Sequence, residues 1–320
     1  TVVSGGKMRN FEDAPMLGNA ITGTGAIVIE ADESDGTIAL YEPRISVLTN
    51  VSFDHMPLDE LVPLFTDYCG RADDVAVVNA DCEMSMVATD GLDRVTFGID
   101  AEADYGATSV VATRDGMSFV VNNQPVTLPV PGKHNVSNAL AAIAACEHEG
   151  VGLEQAGEAL ASFKGIARRL EVLGTVCGVT VIDDFAHNPD KLSAATAALK
   201  AVPGRLHVMF QPHGFGPTKM LRKGIVEAFT GGLTKEDCLW MPEIFYAGGT
   251  ADRSISSEDL VNDVARSGIS ATFVANRDDL GDRLIESVVS GDRIAIMGAR
   301  DDSLTTFGLG LLNRLSERTK

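Results

Sequence analysis

The chain has 320 residues, 45% of them apolar and 22% charged, with a formal net charge of −19, the composition of a folded protein long enough for two buried cores. The excess of acid excludes nucleic-acid and anionic-membrane partners, which such a surface would repel, and no apolar run approaches the ~18–20 residues of a membrane-spanning helix. Five scattered cysteines without a CxxC pair read as reduced thiols and predict a cytoplasmic protein.

The sequence begins at Thr1 without a methionine and enters a turn-rich segment, so a piece of a longer protein is expected. "AIVIE" (26–30), "ISVLTN" (45–50) and "VAVVN" (75–79) are predicted as buried strands, apolar on both faces. "LDELVPLFTDYCGRA" between the last two has helical spacing, which gives the βαβ rhythm of a parallel sheet. Alternation over about 95–130, broken at Asn122-Asn123, predicts a hairpin and an antiparallel edge. "NVSNALAAIAACEHEG" (135–150) reads as an Ala-rich helix closed by Gly150. From about residue 166 the rhythm restarts. "GVTVIDDF" (178–185), "RLHVMFQ" (205–211), "ATFVA" (271–275) and "RIAIMG" (293–298) are predicted strands, with helices such as "PDKLSAATAALKAV" between them. The break lies near 163–168, so two α/β domains are expected, 1–165 and 166–320.

Ligands of open parallel sheets bind beyond the carboxyl ends of the strands. Four predicted strands here lead into chemically useful groups: Glu30; Asp54 and His55 in "FDHM"; Asp183, Asp184 and His187 in "DDFAH"; and His213 in "FQPH". Each alone has an ordinary structural reading as a loop cap or a buried histidine, but four ends behaving alike point to a site. Glu30 and His55 on neighbouring strands could hold a divalent cation; the carboxylate suits Mg²⁺ or Mn²⁺, and the imidazole tilts toward Mn²⁺ or Zn²⁺. The rest of "DESD" reads as a solvated, capped turn. In "PGKHNVSNALAA" (131–142) Gly132 permits close backbone approach. Asn135 and Asn138 share a helix face, where they could read a purine edge or simply cap the helix. Arg168 and Arg169 of "ARRLE" could reach phosphate or be plain surface. The phosphate loop G-x-x-x-x-G-K-[ST] occurs nowhere; neither "SGGKM" nor "TGTGA" supplies it.

In this order and spacing, "EADESD", "TNVSFDHM", "PGKHNVSNALAAIAA", "RRLE", "VIDDFAHNP" and "FQPH" resemble the Mur ligases of bacterial cell-wall synthesis, from about residue 20 to the end. The resemblance implies a central ATPase domain truncated at its start, with a mostly parallel sheet and an antiparallel edge, followed by a Rossmann-like α/β C-terminal domain. The UDP-binding N-terminal domain and the phosphate loop would be missing, so this chain alone is expected to be inactive. The implied reaction is ATP-dependent amide formation in peptidoglycan synthesis, serving cell shape and division. A carboxylate of UDP-N-acetylmuramate becomes an acyl phosphate and an amine attacks it. By resemblance Glu30 and His55 are Mg²⁺ ligands, which favours the hard ion. Asn135 and Asn138 lie near adenine, Asp184 holds ribose, and Arg168 or Arg169 approaches phosphate. His187, His213 and Lys219 face the substrates. Two departures stand out. "GFGPTK" follows His213 where the alanine-adding branch has an arginine-rich stretch, and Asn188 replaces a usual second histidine. The expected acceptor is L-alanine. The alternatives are a recycled tripeptide, or a non-catalytic binding remnant of the fold.

Overall fold

The computed structural model describes residues 1–11, 18–34, 36–52, 56–113, 116–246, 248 and 252–318. The chain divides into two compact units, Thr1–Gly165 and Ile166–Lys320.

The first unit opens with three two-residue strands, β1 (Val2–Val3), β2 (Ala20–Ile21) and β3 (Val28–Ile29), in the order β2-β1-β3. Here "AIVIE" departs from expectation. Only Val28 and Ile29 pair, with β1, and Ile27, Val28 and Ile29 are all exposed, at 68%, 59% and 44%. An apolar run states that burial is favourable; it does not state which surface is at hand to provide it. Glu30 therefore follows a strand of this small sheet, β3 being paired with β1, and His55 lies outside the described residues.

The main sheet of this unit runs β4-β5-β6-β7-β8-β9. It comprises β4 (Ile45–Leu48), β5 (Val75–Asn79), β6 (Arg94–Gly98), β7 (Tyr105–Thr113), β8 (Gly116–Val121) and β9 (Gln124–Leu128). Strands β4 to β7 are parallel, and β7 to β9 form the antiparallel edge. Asn122 and Asn123 both have positive φ, 47° and 65°, as a two-residue hairpin turn requires. Helices α1 (Leu58–Gly70) and α2 (Glu83–Ala88) share a core with β4 and β5. Helices α3 (Lys133–His148) and α4 (Leu153–Ala161) share another, built on Phe97, Phe119, Leu140 and Ile143.

The second unit has one six-stranded sheet, ordered β10-β11-β15-β12-β13-β14. Its strands are β10 (Glu171–Val176), β11 (Val179–Asp184), β12 (Leu206–Phe210), β13 (Cys238–Met241), β14 (Ser270–Phe273) and β15 (Arg293–Met297). All pair in parallel except β10, an antiparallel edge. Pattern reading misses β10, which carries Gly174 at a bulge, and β13, four apolar residues that are too short to identify. Helices α5 (Pro189–Lys200), α6 (Phe215–Gly232) and α7 (Ser257–Ala265) close one core, with Phe210 and Phe229 at its centre. Helices α8 (Arg277–Ser287) and α9 (Ser303–Glu317) close a second, which includes Leu280, Leu284 and Leu311. The last strand, β15, inserts between β11 and β12. That makes their carboxyl ends a topological switch point, where ligands of such sheets bind.

Candidate functional site

The carboxyl ends of β11, β15 and β12 are level. Asp184 pairs with Met297, and Met297 with Phe210. His187 and His213 each lie three positions beyond these residues. Their rings meet edge to face at 5.3 Å, and Phe185 stands 5.5 Å from His187 in the same way. The His187 Nδ1–H donates to the Phe185 carbonyl at 2.9 Å, because a carbonyl can only accept. In the neutral ring Nε2 is then the basic nitrogen. His213 is fixed by a bridge to Phe245. Burial, and then the Arg300 charge, push its pKa below the ordinary imidazole value. A small cavity beneath the two rings is lined by Phe210, Pro217, Thr218 and Ile225.

The boundary segment folds onto the same edge. Asp184 is buried, with one oxygen accepting from Leu170 N–H and the other from Ala186 N–H, both at 2.7 Å. Burial pushes its carboxyl up, opposed by those two N–H groups and by Arg169. Asp184 thus clasps residues 168–171 to the end of β11, which makes it a positioning group. The two arginines separate cleanly. Arg168, with φ of 60°, donates to the Gly298 carbonyl at 2.8 Å and pairs with buried Asp183 at 3.4 Å. Arg169 is exposed, its guanidinium 5.0 Å from the Phe185 ring centre, and remains able to reach an anion. A second buried network braces this edge: Asp301 accepts from Arg277 and Gln211, and from the Ser303 hydroxyl and N–H. Burial would raise the Asp301 carboxyl, but Ser303 and Arg277 hold it below the usual range.

Lys219 is not brought to His213's cavity. Its ammonium donates to Asp252 at 3.0 Å and to Ser254 at 2.8 Å, and it lines a separate groove with Arg222 and Arg266. Asn188 is the N-cap of α5, accepting from Lys191 N–H at 2.9 Å ahead of Pro189, so the residue that departs from the motif does helix-capping work. Sequence reading missed Arg300, three positions past Met297 on the middle strand. The signal was present: "GARDD" follows a predicted strand just as "FQPH" and "DDFAH" do.

In the first unit, Glu30 Oε2 accepts from Ser4 Oγ at 2.8 Å and from Gly5 N–H at 2.7 Å. Oε1 has no hydrogen-bond partner among the described residues, and the side chain is exposed. One oxygen oriented and one open suits single-oxygen coordination of a hard cation. Among the described residues no group of three or more His, Cys, Asp or Glu could hold a metal alone. Asp32 caps its turn by accepting from Ser34 N–H at 2.8 Å. Gly132 precedes α3 with φ of 104°. Asn135 donates to the Pro131 carbonyl at 2.7 Å, which leaves its own carbonyl oxygen available, and Asn138 is exposed one turn on.

The chain matches the Mur ligase middle domain over residues 14–146 and the Mur ligase glutamate ligase domain over 168–300. It is 34% identical over 316 residues to the UDP-N-acetylmuramate–L-alanine ligase of Geobacter sp. strain M21, covering 93% of this chain and 67% of that protein. The ligase of the same name from Desulforamulus reducens is 33% identical, covering 99% and 70%. Among solved structures, the UDP-N-acetylmuramate-alanine ligase MurC of Thermotoga maritima superposes with a TM-score of 0.79 at 27% identity, covering 100% of this chain and 69% of that one. A murein peptide ligase of Psychrobacter arcticus shares the fold, with a TM-score of 0.64 at 22% identity, covering 98% and 71%.

Proposed function

This chain belongs to the Mur ligase family, and on that premise we propose that it forms an amide between the carboxylate of UDP-N-acetylmuramate and the amine of L-alanine, at the expense of ATP. The observation that carries the reading is the pair of histidines at the switch point of the second sheet, on a chain about one third identical to alanine-adding relatives. Acyl-phosphate chemistry asks a protein for positioning and charge neutralisation more than for covalent help. The residues present fit those demands. Asn135 and Asn138 offer amide groups to the adenine edge, and Arg169 offers an exposed guanidinium to phosphate. Glu30 offers a carboxylate oxygen to Mg²⁺, with His55 as the second ligand. The ion would neutralise phosphate charge and orient the transferred group. Neutral His213, beside His187, can accept a proton from the attacking amine. Asp184 and Arg168 hold the loops that carry these groups.

The test is to supply the product of the whole reading frame encoding this chain with ATP, UDP-N-acetylmuramate and L-alanine. ADP, phosphate and UDP-N-acetylmuramoyl-L-alanine should appear in equal amounts. In that protein Glu30→Ala should abolish turnover while shifting stability by no more than about 1 kcal/mol, since the hydrogen bonds it loses are exposed. Near-normal turnover in the mutant would remove Glu30 from the site.

A further inference from the structure

Three adjacent parallel strands end in register at Asp184, Met297 and Phe210, and three positions beyond them stand His187, Arg300 and His213. The arginine thus emerges from the middle strand, between the strands whose histidine rings touch. Arg300 has φ of 61°, the left-handed conformation that glycine takes freely and a residue with a Cβ takes at a cost. Its side chain is exposed and has no hydrogen-bond or ion-pair partner among the described residues. The neighbouring arginines are engaged, Arg168 with Asp183 and Gly298, Arg277 with Asp301 and Gln211. Backbone strain that presents an unpaired cation to a histidine pair does nothing for the fold; such strain collects at functional positions.

We propose that Arg300 anchors the carboxylate of the acceptor amino acid and so selects a free α-amino acid over a peptide; this rests on the ligase reading above. A guanidinium offers two parallel N–H groups in a planar fork that matches a carboxylate. In an α-amino acid the amine is one carbon from that carboxylate, so anchoring one end directs the other toward the histidine pair. A peptide's terminal amine has no adjacent carboxylate to be held this way. Lys219, the cation that the sequence offers after His213, is occupied by Asp252 and Ser254. The same fork matches a phosphate, so the test reads the KM for ATP beside that for L-alanine.

Arg300→Gly is the informative variant, because it removes the guanidinium and relieves the left-handed backbone together. Its Tm should match or exceed the wild type, so lost binding is not lost folding. In the whole reading-frame product, KM for L-alanine should rise by about tenfold or more, the scale of one lost charge-assisted contact. KM for ATP and for UDP-N-acetylmuramate should hold, and Arg300→Lys should recover part of the loss. The wild type should prefer L-alanine to L-alaninamide, and the glycine variant should not. An unchanged KM for L-alanine, a rise confined to ATP, or a wild-type preference for a peptide acceptor overturns the proposal and leaves ligase chemistry standing. If the wild type makes no amide at all, the ligase reading fails instead. Arg300 is then judged on the 320-residue chain by NMR, titrating L-alanine and L-alaninamide to about 10 mM, above the ordinary ~1 mM ceiling of KM. Shifts of the His187 and His213 ring protons with the acid only, lost in Arg300→Gly, uphold the anchor; an equal response to both compounds, or none, overturns it.

Discussion

His207 sits fully buried on β12, accepting from the Trp240 indole N–H at 3.3 Å and donating to Asp292 at 3.2 Å. Burial, and then Arg205, hold its pKa below 6.5, with Asp292 opposing them. The sign follows from linkage: below pH 6.5 the unfolded chain takes up a proton that the folded ring refuses, so stability is intact above 6.5 and falls as the pH drops. Thermal melts of the wild type should therefore lose Tm as the pH falls below 6.5. His207→Gln, which can still donate to Asp292, should flatten that slope. Trp240, the sole tryptophan, gives a fluorescence readout of the same site. An identical slope in the variant would show that other groups carry the acid sensitivity.

Among the elements, α5 begins where the chain leaves the site, and its start is fixed by one amide. Asn188 is buried, accepts from Lys191 N–H, and is followed by Pro189 at the first helical position. Asn188→Ala should cost about 1 kcal/mol, a drop of roughly 2–4 °C in Tm for a domain of this size. Asn188→Asp or →Ser should restore most of it, since either supplies the same acceptor. A histidine here, the residue the motif leads one to expect, should also destabilise, because it is poorly suited to accept that N–H. A melt in which Asn188→His exceeds the wild type would contradict the capping role.

At the scale of the whole molecule, each unit has its own cores and its own six-stranded sheet. No helix among the described residues is long and apolar enough to cross a membrane. The phosphate cradle of backbone N–H groups and lysine, on which ATP-dependent ligation depends, has no G-x-x-x-x-G-K-[ST] sequence in these 320 residues. The 320-residue chain by itself should therefore release no ADP from ATP, even with UDP-N-acetylmuramate and L-alanine present. Steady ADP release from the purified chain would show that another segment cradles the phosphates.

Much of this was legible in the residues alone. Short β-branched runs alternating with helical spacing specify parallel α/β layers, because period and burial are local properties of the chain. Asn122-Asn123 specifies the hairpin, since few residues accept positive φ twice in succession. The separated motifs carry the family resemblance in their order and spacing alone. Tertiary structure decided what depends on the partner a side chain meets. It left "AIVIE" exposed where its composition asked for burial. It turned Asp184 inward onto two N–H groups, and it bound Arg168 to Asp183 while leaving Arg169 exposed beside the Phe185 ring. It tied Lys219 to Asp252 and brought Arg300, from a strand more than eighty residues along the chain, level with His187 and His213. Spacing along a sequence fixes which face a residue occupies. Which charges end up paired, and which remain for a ligand, is set by strand order, and strand order is a long-range choice that no local pattern encodes.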